Sequence, residues 1–201
     1  MPLMETLMHE IAAVAAQLVV DDGLDYGAAK RRAVKQLGVP PRTALPDNDV
    51  LEAAVREHIA LFHADTQPAE LAALRELALT WMERLDEFRP HVAGAVWNGT
   101  ATRLSDIYLQ LFCDDPKSAE IALINRQVDY EVRTVTGFTG APVDALSLSS
   151  RCAALNETVG VHLLIHDYDE LRGALKPSAD GRAPRGDVQA LRRLLAEEAS
   201  A

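Results

Sequence analysis

The chain has little of several features that mark particular classes of protein. Only two of its 201 residues are cysteines, Cys113 and Cys152, and they form no CxxC pair. We therefore predict two reduced, buried cysteines and no disulfide. No apolar run reaches the roughly 18 residues that a membrane span needs. No basic stretch precedes an apolar core near the start, so we expect no secretory signal and a cytoplasmic location.

Basic residues are also scarce relative to acidic ones. The chain has 20 Lys and Arg against 30 Asp and Glu, which gives a formal net charge of −10. This balance disfavours nucleic acid as a partner, although it allows a local basic patch. The densest basic stretch, Lys30 to Lys35, is interpreted as a solvated helix face, with a phosphate or RNA contact as the alternative. With 48% hydrophobic and 25% charged residues, the chain can bury a core.

Two catalytic motifs are missing. The sequence contains no Gly-x-Ser-x-Gly, so it gives no support to serine-hydrolase chemistry. A phosphate-binding loop requires GxxxxGK[ST]. The nearest segment, GRAPRGD at 181–187, places Asp187 where the lysine must meet phosphate.

The histidines are not predicted to form a site. His162 and His166 are expected on one face of a strand about 13 Å apart, too far to share a metal ion. His58 and His63 are interpreted as residues on a helix surface.

The first part of the chain has helical periodicity. Apolar residues recur at steps of three and four, and the strongest stripe includes Leu71, Leu74, Trp81 and Leu85. Asp25 is a possible N-cap of the second helix, and Asp47 or Asn48 of the third. Pro90 ends the pattern. We predict a helical N-terminal segment over residues 1–90, with helices over 3–20, 26–37, 48–64 and 66–88.

After Pro90 the pattern becomes one of short apolar runs separated by turn residues. Strands are predicted at Val92–Trp97, Ile107–Cys113, Tyr130–Val135, Val143–Leu148 and Val159–His166. Helices are predicted over 116–126, 151–157, 169–175 and 186–197, with a polar loop over 176–185. The chain is therefore predicted to be α+β, with a mixed sheet and flanking helices over residues 91–201.

One stretch within this second part combines a tight turn with well-placed acids. Asn98-Gly99 is a strong turn signal. Gly99-Thr100, followed by the strand start Ser105-Asp106-Ile107-Tyr108-Leu109, resembles the nucleotidyltransferase superfamily that includes polymerase beta. In that family a strand ends in Gly-Ser or Gly-Gly, and the next strand carries Asp-x-Asp. A later strand supplies a third acid, which Val143-Asp144-Ala145-Leu146 matches.

This resemblance implies a nucleotidyltransferase-like fold and a set of roles. Asp106 and Asp144 would be the catalytic acids and would hold Mg²⁺. A nucleoside triphosphate would be bound by Gly99, Thr100, Arg103, Ser105 and Tyr108. Tyr108 stands where the family has its second acid, and only five residues separate Thr100 from Asp106. Because magnesium prefers carboxylate oxygens, we expect metal-dependent nucleotidyl transfer to be weakened or lost.

A second resemblance extends over more of the chain. The strings DYGAAKRRAVKQLG, GTATRLSDIYLQLFCDD and LRGALKP are similar to a small bacterial family often labelled UDP-N-acetylmuramate–alanine ligase. Segment 181–187 does not supply the phosphate-binding loop that this label requires. A third hypothesis is a non-catalytic interaction or regulatory protein that uses the N-terminal helices to bind a protein partner.

Overall fold

The computed structural model describes residues 2–177 and 181–200. The chain divides into two compact units, Met1–Ala69 and Glu70–Ala201. The described residues form eight α-helices and one six-stranded mixed sheet, so the α+β prediction is confirmed. Within these residues, no helix is both long enough and apolar enough to cross a membrane.

The first unit is built from three helices, α1 (Pro2–Asp22), α2 (Tyr26–Gln36) and α3 (Asn48–Phe62). The Asp25 side chain caps α2 by accepting the Ala28 N–H at 2.8 Å. Asp47 caps α3 in the same way. One apolar cluster joins the helices, and it includes Ile11, Ala15, Ala29, Ala33, Leu51 and Val55.

The basic stretch of α2 is only partly a solvated face. Lys30 is 7% exposed, and its Nζ donates to Asn48 Oδ1 at 2.7 Å. Arg32 pairs with Asp22 at 3.4 Å. Two of the four basic side chains thus have partners within the unit, and the interpretation as a solvated face is wrong for Lys30.

The second unit is organised by its sheet. Its strands are β1 (His91–Ala93), β2 (Ile107–Cys113), β3 (Glu131–Thr136), β4 (Pro142–Cys152), β5 (Glu157–Asp167) and β6 (Arg185–Gly186). They lie in the order β3-β4-β5-β2-β1-β6. The pair β2 and β5 is parallel and the remaining pairs are antiparallel. The helices of this unit are α4 (Gln67–Arg84), α5 (Gly94–Asn98), α6 (Lys117–Asn125), α7 (Leu171–Ala174) and α8 (Val188–Glu198).

Helix α4 packs on the sheet. Its buried residues Leu71, Leu74 and Trp81 belong to the same apolar cluster as Leu111 of β2 and Leu163 of β5. This packing explains why the division between the units falls after Ala69, whereas the sequence pattern placed it at residue 90. A change from helical to strand periodicity marks where the element type changes, which here lies inside the second unit.

Two local predictions are wrong for identifiable reasons. The strand predicted over 92–97 ends at Ala93, because Gly94 adopts a left-handed conformation (φ 67°) and helix α5 begins there. The helix predicted over 151–157 is a β-hairpin, in which Cys152 of β4 pairs with Glu157 of β5. The loop predicted over 176–185 contains β6 at its end, and residues 178–180 lie outside the described residues.

Both cysteines are buried and free, as predicted. Burial, with the nearby Asp114 carboxylate, raises the pKa of the Cys113 thiol to about 11. Cys113 is therefore protonated at neutral pH and is a poor nucleophile.

The packing of α4 on the sheet gives a first prediction. Leu74→Ala should lower the free energy of unfolding by about 2–5 kcal/mol, because it removes a fully buried side chain from the core. Ile124→Ala on α6, where the side chain is 60% exposed, is the matched control and should change stability by less than about 0.5 kcal/mol. Urea unfolding measures both. Equal effects of the two substitutions would contradict the packing of α4 described above.

Candidate functional site

Ser147 of β4, His162 of β5 and Asp106, the residue before β2, form a continuous set of side-chain hydrogen bonds. His162 Nε2 lies 3.0 Å from Asp106 Oδ2, and His162 Nδ1 lies 2.8 Å from Ser147 Oγ. His162 of β5 is directly opposite Ser147 of β4 and Tyr108 of β2. Directly opposed residues point to the same face of a sheet. We refer to Asp106, His162 and Ser147 below as the triad.

The charge of Asp106 determines how the triad is protonated. The hydrogen bond from His162 holds the pKa of Asp106 below its ordinary value; partial burial acts in the opposite direction, and the Gly160 N–H at 3.2 Å assists His162. An ionised carboxylate only accepts hydrogen bonds, so His162 Nε2 must carry a proton. In the neutral ring Nδ1 is then an acceptor, and Ser147 donates its hydroxyl proton to it.

Packing fixes the position of the imidazole and the carboxylate. The Tyr108 ring stacks on His162 with centroids 4.8 Å apart and an interplanar angle of 29°. Gly160 lies against Asp106, and a Cβ at this position would stand only 2.6 Å from Asp106 Oδ1. The position of the carboxylate therefore depends on the absence of a side chain at residue 160.

Ser147 and His162 line a cavity of about 730 Å³, which also includes Trp81, Arg84, Tyr130 and Glu131 in its wall. Strand β3 begins at Glu131, opposite Ser147. In the described part of the chain, residues 148–152 of β4 therefore pair with β5 alone. Their outward peptide groups form an open sheet edge beside the cavity. The cavity thus brings the Ser147 hydroxyl close to a sheet edge whose outward peptide groups have no β3 partner.

The predicted phosphate-binding turn is used in another way. The N–H groups of Gly99, Thr100 and Ala101 all donate to the Ala95 carbonyl, at 3.0, 2.9 and 3.2 Å. Gly99 adopts a left-handed conformation (φ 85°) as the C-cap of α5. These amides close the end of a short helix, so the prediction that they cradle a phosphate is not supported.

Arg103 and Ser105, predicted to bind substrate, hold the segment that leads to Asp106. Arg103 Nε donates to Glu157 Oε1 at 3.1 Å, and the Arg103 backbone N–H donates to Glu70 at 3.0 Å. Ser105 Oγ accepts the Thr102 N–H at 3.0 Å. These contacts hold the segment against the start of β5 and against α4, and so they position Asp106 next to His162.

The structure separates Asp106 from Asp144. Asp106 lies beside Gly160, whereas Asp144 is opposite Ile165, five residues further along β5. That offset alone is about 16 Å. Asp144 also alternates with the buried residues Leu146 and Leu148, which places it on the opposite face of the sheet from the triad. One magnesium ion cannot bridge these two carboxylates, so the predicted Mg²⁺ site does not fit.

Metal-binding geometry occurs elsewhere in the chain. Among the described residues, the one group of three or more His, Cys, Asp or Glu side chains with closely spaced ligand atoms is Asp21, His58 and His63. This group lies in the first unit and includes neither of the predicted metal ligands.

The sequence interpretation named Asp106 as a metal-binding acid and Tyr108 as a substrate contact. It missed Ser147 and assigned His162 to no site. Ser147 and His162 are polar positions on the alternating, half-buried face of their strands. That alternation was the available signal. Alternation within one strand shows which residues share a face of that strand. The pairing of residues 147 and 162 depends on the register between two strands, which no local pattern specifies.

Comparison of the chain with protein-family models, with curated proteins and with solved structures gives no match. The function of the site is accordingly inferred from its own residues.

Replacing Asp106 by Asn should remove a contribution to the free energy of unfolding that is present at neutral pH and lost in acid. The folded-state pKa of Asp106 is below the ordinary value of 3.8, so the ionised carboxylate stabilises the fold above that pH. This stabilisation is lost as the pH falls through the folded value. Thermal melts of the parent and of Asp106→Asn should differ at neutral pH and converge in acid. A difference that stays constant with pH would argue against the hydrogen bonds assigned to Asp106.

Proposed function

We propose that the second unit is a serine-dependent hydrolase that cleaves a small ester or a similarly activated acyl compound. The observation that carries this proposal is the hydrogen-bonded triad at the wall of an open cavity. Such triads are recognised by the geometry and roles of their residues and recur on unrelated folds. The Gly-x-Ser-x-Gly motif marks a serine on a strand-to-helix turn. Ser147 instead stands beside the open edge of β4, so the absence of the motif does not exclude this function.

The triad supplies the groups that acylation requires. Ser147 Oγ attacks the carbonyl carbon of the ester and forms a carbon–oxygen bond, while its proton passes to His162 Nδ1. The Asp106 carboxylate, accepting from Nε2, stabilises the resulting imidazolium. When the tetrahedral intermediate collapses, the bond to the leaving alkoxide breaks, and the alkoxide takes the proton from Nδ1. The products of this step are an alcohol and an acylated Ser147.

Deacylation follows the same route in reverse. His162 Nδ1 takes a proton from water, and the hydroxide oxygen bonds to the acyl carbon. The bond to Ser147 Oγ then breaks, and Ser147 recovers its proton from the imidazolium. The overall reaction consumes one ester and one water and yields one acid and one alcohol. It needs no metal ion and no redox partner.

The surroundings of the triad match the other requirements of this chemistry. Backbone N–H groups on the edge of β4 after Ser147 are donors of the kind that stabilise an oxyanion. The cavity volume falls within the range of small-molecule sites. Tyr130 gives it an aromatic wall, and Arg84 and Glu131 give it charges of both signs. These features favour a small acyl substrate that carries both an apolar and a polar part.

A fluorophosphonate probe, which reacts with activated serines, tests the proposal directly. We expect the folded parent to be labelled at Ser147, as identified by peptide mass spectrometry. His162→Ala should slow labelling by about 100-fold or more, because it removes the general base. Ser147→Ala should abolish it.

Ser149→Ala is the matched control, since Ser149 lies on the same strand and lines the same cavity. Its labelling should equal that of the parent, and heat-denatured protein should not react. Equal labelling of the parent and of Ser147→Ala, or an adduct that is independent of His162, would contradict the proposed role of the triad.

Gly160→Ala gives an independent test of Asp106. The new Cβ would meet the Asp106 carboxylate at about 2.6 Å and force it away from His162. The β-strand backbone accepts alanine, so the variant should fold, as measured by circular dichroism. We expect its labelling rate at Ser147 to fall as it does in Asp106→Asn. A folded Gly160→Ala that is labelled at the parental rate would show that Asp106 does not assist His162.

A further inference from the structure

The C-terminal ends of α1 and α3 bring together two imidazoles and a carboxylate. Asp21 lies in the last turn of α1, His58 lies in α3, and His63 is the residue that caps α3. Asp21 Oδ1 is 3.3 Å from His58 Nε2 and 2.9 Å from His63 Nε2. All three ligand atoms lie within 4.8 Å of one another. The group belongs entirely to the first unit and is independent of the triad.

The end of α3 produces this convergence. Residues five positions apart on a regular helix point about 140° away from each other. His63 leaves the helical conformation, with φ −130° and ψ 15°, while its N–H still donates to Ile59 O. This change of backbone direction turns the His63 ring toward the side that His58 occupies. The prediction of His58 and His63 as helix-surface residues agrees with their partial exposure, but it did not include their shared contact with Asp21.

The last turn of α1 contains no basic residue that could offset the charge of the Asp21 carboxylate. Helix α1 ends in Val-Val-Asp-Asp, which places two carboxylates at the negative end of the helix dipole with no basic residue among them. Asp22 is paired with Arg32. Asp21 faces the two histidines, and α3 also directs its C-terminal end toward this region. A bound cation would relieve this concentration of negative potential.

We infer that Asp21, His58 and His63 form a binding site for a divalent transition-metal ion of the Zn²⁺ class. Zinc takes imidazole nitrogen and carboxylate oxygen at roughly 2.0–2.2 Å, which places the ligand atoms of a tetrahedral site about 3.3 Å apart. Both of the Asp21 to histidine distances are close to this value. Two nitrogen ligands disfavour Mg²⁺ and Ca²⁺, which prefer all-oxygen sites.

The exposure of the group suits an ion that enters from solvent. The exposed fractions of the side chains are 15% for His58, 32% for His63 and 36% for Asp21. Three protein ligands leave a fourth position open to water or to an external donor, as in zinc sites that bind a further ligand. The ion would also hold the end of α1 to the end of α3, so its binding should raise the stability of the first unit.

The test uses the full chain after dialysis against a chelator. Zn²⁺ is titrated in competition with a chromogenic chelator, and Co²⁺ serves as a spectroscopic probe of the ligand set. We expect one ion per chain and a Co²⁺ absorption band that Zn²⁺ displaces. Asp21→Asn, His58→Ala and His63→Ala should each weaken binding by at least about tenfold, since even outer-shell losses cost this much. Asp22→Asn is the matched control and should bind like the parent.

A second measurement on the parent keeps the test independent of how the variants fold. In NMR spectra, the ring signals of His58 and His63 should shift on addition of one equivalent of Zn²⁺, while those of His91 and His166 in the second unit should not. Absence of binding by the parent, equal binding by Asp21→Asn, or shifts confined to other histidines would overturn the inference. Excess Mg²⁺ should displace neither ion, and displacement would contradict the assigned metal class.

Discussion

The pairing of β5 with β2 on one side and β4 on the other is the constraint on which the site depends. It places Tyr108, His162 and Ser147 in one row across three strands. A slip of one residue in either pairing would move a member of the row to the opposite face. The register is secured by the core side of the same strands, where Leu109, Leu163 and Leu146 are buried. Apolar packing on one face thus fixes the polar geometry on the other.

Local patterns predicted the elements better than their arrangement. The stripe of α4 and the apolar runs of β2 and β5 were clear, since each has its own periodicity. The end of β1 was not predicted, because nothing in the apolar run around Gly94 indicates that this glycine adopts a left-handed conformation. The division between the units was misplaced for a related reason. Periodicity shows that α4 is a helix with an apolar stripe, but not which surface the stripe covers.

The candidate site was predicted in part, through Asp106. The sequence motif named Asp106, the residue before β2, as a metal-binding acid, and the partner it implied, Asp144, lies at a distance and on the other face of the sheet. The carboxylate instead meets His162 and the Gly160 amide. These contacts span more than fifty residues of sequence, so their formation follows from topology. The approach of His58 and His63 to Asp21 was not predictable from local sequence either, because it depends on the backbone conformation of His63 at the end of α3.

The central claim is that Asp106 fixes the protonation of His162 so that Nδ1 is the base that faces Ser147. Long-range ¹H–¹⁵N NMR spectra of the His162 ring test this most directly, because they distinguish the two neutral tautomers. In the neutral form of the ring the account predicts a proton on Nε2 and an unprotonated Nδ1, with the tautomer preference lost in Asp106→Asn. A ring protonated on Nδ1 in the neutral form, or a preference unchanged in the variant, would contradict it.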